Sequence, residues 1–529
     1  MPAMNSPSKR PDLERLAEGD LKRLATEEQL VGNHELALSY FDEADRRRPG
    51  HPAILLGRLQ CHHRLRQPDQ VKALARQIQR LVAGQPAAID HFGEELQKIR
   101  EYDLALETFS AMRDFPQAPV RAVGLSREAA LHLRVGRRQE AEAVLAKAEK
   151  LGAQLPEVQS VKALICRKKQ PELARRILDK LSRPDPAVPP PFTATSAHSL
   201  AAVCDALKLP DEAMAALARG KEIEQSQPLV RRFRAQRPAW HRWHLDALDF
   251  DRPEAEAWAR EAMDPSWPSH AFLLGHPRSG TTLLEQMLDA HPSICSVEES
   301  DVYSSVFDAT LIRRHEEAGG TPPFAPWVRA LPEPAINGLR ERYFATLAME
   351  AGKSLEGVTV LDKNPGLTVS VARLARTLPA ARLIVMIRDP RDVCLSAYFQ
   401  STHRTPWSVN WLTLGETVEQ YAFTMDLWLR TKPKLVQPWL EVRYEDVIRD
   451  PAGEGAKVTR FLGHDWHPAQ ADPAAHARTK VVRSPTHDDV AQPIHRRAIG
   501  RWQAYAKYLA PFQERLKPFV EAFGYGEEG

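Results

Sequence analysis

At 529 residues the chain is too long for one hydrophobic core, so two or more domains are expected. Its 72 basic and 69 acidic residues leave a net charge of +3, which gives no case for a nucleic-acid polyanion as the main partner. Hydrophobic residues at 43% and charged residues at 27% describe an ordinary soluble composition, and no run approaches the roughly 18 apolar residues of a membrane span. Five widely spaced cysteines, with no C-x-x-C pair, suit a reducing compartment and supply neither a disulfide framework nor a zinc site. Met1 to Leu21 is polar and charged, without the apolar core of a secretory signal, so a cytoplasmic protein is expected.

In chain order, residues 1–12 read as a disordered N-terminus, and 13–235 as helical and repetitive. Gly32-Asn-His-Glu-Leu-Ala37 leads to Phe41, Ala44 and Pro49, the spacing of a tetratricopeptide (TPR) repeat. Ala105, Phe109 and Met112 repeat Ala37, Phe41 and Ala44 at twice a period of about 34 residues. Val71, Ala75 and Ile78 fill the register between them. Further copies fall at Ala141, Leu145 and Ala148, at Ala174, Leu178 and Leu181, and at Ala213, Leu217 and Gly220. Short side chains let paired helices cross closely, and stacked pairs bury a core that none could bury alone. A proline-rich insert, Pro184 to Phe192, interrupts the array.

Residues 236–268 form an aromatic and proline-rich joint, with Pro238, Trp240, Trp243, Trp258, Pro265, Trp267 and Pro268; so many tryptophans argue for packing rather than a solvated tether. From 269 to 529 the pattern alternates strand and helix. The fold class is therefore an all-α TPR-like solenoid followed by an α/β, P-loop-like domain with a central parallel sheet. Four apolar runs each end in polar chemistry: Ala271–Leu274 at Gly275, Val358–Leu361 at Asp362-Lys363, Arg382–Ile387 at Arg388-Asp389, and Leu440–Arg443 at Tyr444-Glu445-Asp446. Ligands of open parallel sheets bind outside the carboxyl ends of the strands, so Arg278, Lys363, Arg388 and Tyr444 are expected at one edge.

Gly275 to Thr282 fits the Walker A pattern G-x-x-x-x-G-K-[ST] except that Thr281 stands where the lysine belongs. The loop's only cation is Arg278, whose planar fork suits a terminal phosphate or sulfate at a helix N-terminus. Arg388-Asp-Pro-Arg leads into a helix with Ser396 about two turns in, a pattern that suits a second phosphate. Glu298, Glu299 and His291 are the candidate general bases, His291 being better suited to capping or packing.

Pro277-Arg-Ser-Gly-Thr-Thr282, followed by Leu-Asp-Ala-His-Pro292 and Glu298-Glu299, resembles the 5′-phosphosulfate loop of sulfotransferases, most closely their tyrosylprotein branch. Arg388 through Ser396 resembles the family's 3′-phosphate motif, and the TPR-like half is similar to that of bacterial repeat-bearing sulfotransferases. The resemblance covers about 269–525 and implies 3′-phosphoadenosine-5′-phosphosulfate (PAPS) as donor, PAP as product and no metal. It implies donor contacts from Arg278, Ser279, Gly280, Thr281, Thr282, Arg388, Ser396, Tyr444, Ser484 and Arg501, with Arg278 and Lys363 as catalytic cations. Glu299 falls on the branch's catalytic glutamate, and Glu298 remains the runner-up.

Two departures stand out. The Ser484–Arg501 spacing is two residues longer than the branch pattern, and Asp301 replaces an arginine that the branch uses for acidic acceptor peptides. Peptide, sugar and small phenol all remain open as the hydroxyl-bearing acceptor, as does Trp407–Trp411 as core or acceptor lid. The repeats are expected to bind a protein partner or peptide; no nucleic acid and no membrane is expected, and a homodimer is among the allowed assemblies. A TPR scaffold with an inactive nucleotide domain is the rival reading, ahead of a P-loop nucleotide kinase.

Overall fold

The computed structural model describes residues 13, 16–30, 33–262, 267–401, 407–479 and 494–526. The expected N-terminal tail, 1–12, lies outside the described residues. Two compact units result, one ending at Ile223 and the other beginning at Glu224.

The first unit is all helix among its described residues, with twelve helices from Glu18–Leu30 through Pro210–Gln225, consecutive ones packed on each other. Seven of these begin on a proline, among them Pro52, Pro68, Pro86 and Pro156, where the missing N–H costs nothing. The helix Pro190–Ala206 starts inside the proline-rich insert for the same reason. Most repeat positions are core: Ala37, Ala44, Ala75, Ala105, Ala141, Ala148, Ala174 and Ala213 are fully buried, whereas Leu181 is half-buried and Pro49 exposed. The aromatic position gives the recurring spacing a physical reason. The Phe41 ring fills the space that a Cβ on Gly57 would need, at 2.3 Å, and Phe109 does the same to Gly93, also at 2.3 Å.

The second unit opens with the helices Pro228–Asp246 and Arg252–Glu261. Their tryptophans are packed: the Arg373 guanidinium lies 3.7 Å over Trp243, and Trp240 meets Trp407 and Phe423 at 5.7 Å between ring centres. The sheet that follows has five parallel strands, β1 (His270–Gly275), β2 (Ile294–Glu298), β3 (Thr359–Lys363), β4 (Arg382–Ile387) and β5 (Trp439–Arg443), in the order β2-β3-β1-β4-β5. Both faces are covered. Phe272, Val297, Val360 and Val385 enter one core, while Ala271, Leu361, Ile384 and Val442 enter another against the helix Thr281–Asp289. The sequence reading contains no strand at Ile294–Glu298; β2 is an edge strand, and its polar Ser296 and Glu298 weaken the apolar signal.

Strand order reverses around β1, so the crevice at a topological switch point opens beside the Gly275 loop. Register fixes the rest of that edge. Glu298 lies beside Lys363, Gly275 beside Met386, and Ile387 beside Arg443. No helix among the described residues is long and apolar enough to cross a membrane.

Candidate active site

The loop after β1 is shaped by its glycines. Gly275 has φ +135°, and a Cβ there would stand 2.5 Å from the Met386 carbonyl oxygen. Its N–H donates to Thr368 Oγ1 at 2.8 Å, which ties the strand end to the segment after β3. Gly280, with φ +96°, caps the helix Thr281–Asp289, and its Cα faces the Tyr444 ring so closely that a Cβ would be 2.3 Å from Cδ2. Arg278 itself adopts φ +80°, an unfavourable backbone for a side chain, so the loop stores local strain at its cation. The helix Thr281–Asp289 turns its positive N-terminal end toward this loop, and the Leu283 and Leu284 N–H groups bond back to the Gly280 carbonyl, at 3.1 and 3.4 Å.

Arg278 Nε–H donates to Ser396 Oγ at 3.2 Å, which brings together the loop and the helix Pro390–Tyr398 after β4. Arg388 donates to the Arg278 carbonyl at 3.0 Å and to the Ala498 carbonyl, and its guanidinium lies 4.9 Å over the Tyr444 ring. Its Nε is buried with no hydrogen-bond partner. Of its acidic neighbours, Asp392 lies 3.9 Å from Arg388 Nη2, a long ion pair that leaves Nε without a partner. Asp389 instead takes a two-pronged bond from Arg391, at 2.9 and 2.7 Å, and Asp392 accepts the Gly500 and Trp502 N–H groups at 2.8 Å. Burial pushes the Asp392 carboxyl up to about 6 despite these bonds and Arg388. Arg501, next to that anchor, stacks 4.1 Å over Phe399, one turn beyond Ser396. Ser484 lies outside the described residues.

The second cluster sits at the ends of β2 and β3. Lys363 is fully buried, and its Nζ is 3.3 Å from Glu298 Oε1, 3.3 Å from Glu299 Oε1 and 3.7 Å from Glu285 Oε2. Burial alone would lower the lysine, but attraction to Glu285, Glu299 and Glu298 outweighs it and holds the ammonium above its ordinary range. Glu299 has left-handed backbone, φ +47°, and donates its N–H to the Lys363 carbonyl at 2.7 Å, which turns the chain as β2 ends. Its side chain is 29% exposed, against 7% for Glu298. On the opposite face of β3, Asp362 accepts the Tyr343 hydroxyl at 2.6 Å, and burial raises its carboxyl to about 7.

His291 has both ring nitrogens engaged, Nε2 with the Asp465 carbonyl at 3.1 Å and Nδ1 with the Ser293 N–H at 3.0 Å. His276, in the loop itself, is buried; burial drops it to about 4, so it is neutral, with Nδ1–H donating to the Pro277 carbonyl at 2.7 Å. Trp411 is buried, and both it and Trp407 lie around the His276 ring, 6.5 and 6.1 Å away. Sequence reasoning missed Glu285, Thr368 and Asp392. Glu285 and Gln286 lie between the apolar pairs Leu283-Leu284 and Met287-Leu288, where an amphipathic helix ordinarily turns polar residues to water, yet both are fully buried.

Residues 269–468 match the family described as "Sulfotransferase family". Among curated proteins, an uncharacterised protein of Aquifex aeolicus (strain VF5) is 26% identical over 253 residues, 46% of this chain and 32% of its own length. Protein-tyrosine sulfotransferase 1 of Danio rerio is 24% identical over 255 residues, 44% of this chain and 64% of its own. The chain thus spans about a third of the first relative and under two thirds of the second. Among solved structures, the sulfotransferase domain from the Synechococcus PCC 7002 olefin synthase matches at 21% identity, covering 46% of this chain and 90% of that one, with a TM-score of 0.31. The chain carries a sulfotransferase-family domain with homology to the protein-tyrosine sulfotransferases, preceded by a helical region consistent with TPR-like repeats.

Proposed function

We propose that the domain transfers the sulfuryl group of PAPS to the hydroxyl of an acceptor. The observation that carries this reading is the Arg278–Ser396 bond beside Arg388, whose buried Nε has no hydrogen-bond partner. Two arginines and a hydroxyl from two strand ends make a cradle for anionic groups, and an unpaired buried guanidinium nitrogen fits a site built for one. Bound there, PAPS supplies an activated sulfuryl group, with PAP as the leaving product.

Each residue then has a task. Arg278 and the loop from Ser279 to Thr282 hold the 5′ end through the fork, the hydroxyls and the N–H groups of the first helical turn. Arg388 and Ser396 hold the 3′-phosphate, with Tyr444, Ser484 and Arg501 as further contacts to the nucleotide. Lys363 provides a second cation for the charge that develops on the leaving oxygen, and Arg278 the first. Glu299 takes the acceptor's proton, because its carboxylate is the more exposed of the two at the β2 end. No metal is assigned a role.

The homology makes peptide tyrosine the first acceptor to try, while Asp301 argues against an acidic peptide. The TPR-like unit is assigned to binding a protein partner or the acceptor. The setting is the cytoplasm, on the strength of five cysteines that form no disulfide, four of them buried. Calorimetric titration with PAPS, PAP and ATP, each with and without Mg²⁺, tests the core of this reading. Metal-independent binding of PAPS and PAP is expected; preference for ATP with Mg²⁺ would overturn it in favour of a nucleotide kinase.

A further inference from the structure

Resting on that reading, we propose that Glu285 is a positioning residue, the fixed counter-ion that anchors the Lys363 ammonium while Glu299 handles the acceptor's proton. The three carboxylates around Lys363 are not equivalent. Glu299 is 29% exposed, Glu298 7%, and Glu285 not at all. Glu285 lies on the helix Thr281–Asp289, beneath the strand ends, and cannot reach an acceptor that arrives from solvent.

Glu285 is also held from behind by a chain of hydrogen bonds. Its Oε1 accepts from Ser296 Oγ at 2.9 Å, and the Ser296 N–H donates to Asp289 Oδ1 at 2.7 Å. Asp289 Oδ2 is in turn 2.8 Å from His476 Nε2. This chain of bonds fixes the helix and β2 together and leaves Oε2 aimed at Nζ, 3.7 Å away. The helix that carries Glu285 is the one whose N-terminus forms the donor loop, so one rigid element sets both the loop and the lysine.

The arrangement separates two jobs that one carboxylate cannot do together. A general base must end the step protonated: the acceptor O–H bond breaks and the proton moves to Glu299. A protonated Glu299 no longer balances the ammonium, which then relies on Glu298 and the fully buried Glu285, and a buried ammonium without a counter-ion is strongly unfavourable. Glu285, the carboxylate that solvent does not reach, stays beside the Lys363 ammonium when the proton moves, so the cation persists when the leaving oxygen needs it. Three carboxylates against one ammonium give the cluster a formal charge of −2, which falls to −1 when Glu299 takes the proton.

The test uses the full-length protein with Glu285→Gln, Lys363→Met and the double variant. In sulfotransfer assays with labelled PAPS, Glu285→Gln is expected to lower kcat by about tenfold or more, with KM for PAPS changed less than about twofold. The basic limb of its kcat–pH profile should move to lower pH, because a lysine that loses one of its raising partners gives up its proton sooner. An unchanged pH profile with lost stability alone would reduce Glu285 to a structural role. A denaturant-unfolding cycle reads the pair without turnover: the double variant should be more stable than the sum of the single losses predicts, and strict additivity would overturn the pairing. Wild-type protein that transfers no sulfuryl group to any acceptor would sink the proposed function, and the unfolding cycle would still decide whether Glu285 anchors Lys363.

Discussion

The helical unit and the edge of the sheet use burial in opposite ways. In the helical unit the buried positions are mostly small or apolar, with Glu128 beside Arg113 an exception, and Phe41 and Phe109 fit against Gly57 and Gly93. At the sheet edge the fully buried positions include Lys363, Glu285 and Asp362. A buried methyl group adds its small share independently of its neighbours, whereas a buried charge is tolerable only with its partners present. The first kind of interior gives a stack; the second gives a site. The same substitution should therefore cost stability in one unit and chemistry in the other.

The sharpest break of that comparison is at Glu299. Glu299→Ala should reduce sulfotransfer by about 10²- to 10⁴-fold, the usual range for loss of a general base, with PAP affinity kept. Equal losses of turnover and PAP binding would move Glu299 to a structural role. Phe41→Ala, in the other unit, should lower stability by about 3–5 kcal/mol through the cavity it opens. PAP binding per folded molecule should stay as in the wild type, and a large fall in PAP affinity would show that the two interiors are not independent in this sense.

How much of this was legible from the sequence follows the same division. The helical unit was read from spacing, because Ala37, Phe41 and Ala44 report their burial through a period that recurs. Arg278, Lys363 and Arg388 were also legible, since each follows an apolar run that ends at the carboxyl edge. Strand β2 was not, because Cys295, Ser296 and Glu298 dilute a five-residue edge strand. Glu285 was passed over because a glutamate on an amphipathic helix ordinarily faces water. What buries it is a lysine delivered by another strand, and pattern counts carry no information about such a partner.

Asp362 turns the contrast into a pH experiment. Its carboxyl is raised to about 7 by burial first, then by Glu350 and Asp301, with the Tyr343 bond and Lys363 opposing. A carboxyl raised on folding favours the native state below its unfolded value, near 4, and loses that contribution as pH climbs through about 7. Asp362→Asn can keep the bond from Tyr343 without the charge. Its stability advantage over wild type should open between about pH 4 and pH 7 and reach about 2–4 kcal/mol at pH 7. Thermal unfolding across that range provides the measurement, and a constant gap between the two proteins would mean that Asp362 does not titrate as stated.

Two glycines provide the finest comparison, because the same clash occurs in both units. A Cβ would stand 2.3 Å from Phe41 Cζ at Gly57 and 2.3 Å from Tyr444 Cδ2 at Gly280. Gly57 lies within a helix, the Pro52–Arg64 segment, where alanine is otherwise preferred, so only the ring opposes the added methyl. Gly280 has φ +96°, so an alanine there meets the ring and an unfavourable backbone together. Gly57→Ala should cost about 1–3 kcal/mol by overpacking, and Phe41→Leu in the same chain should recover part of it. Gly280→Ala should not be recovered by Tyr444→Leu, because shortening the ring leaves the backbone strain in place and removes the aromatic face under Arg388. Equal rescue at both positions would mean that the loop, like the stack, is governed by packing alone.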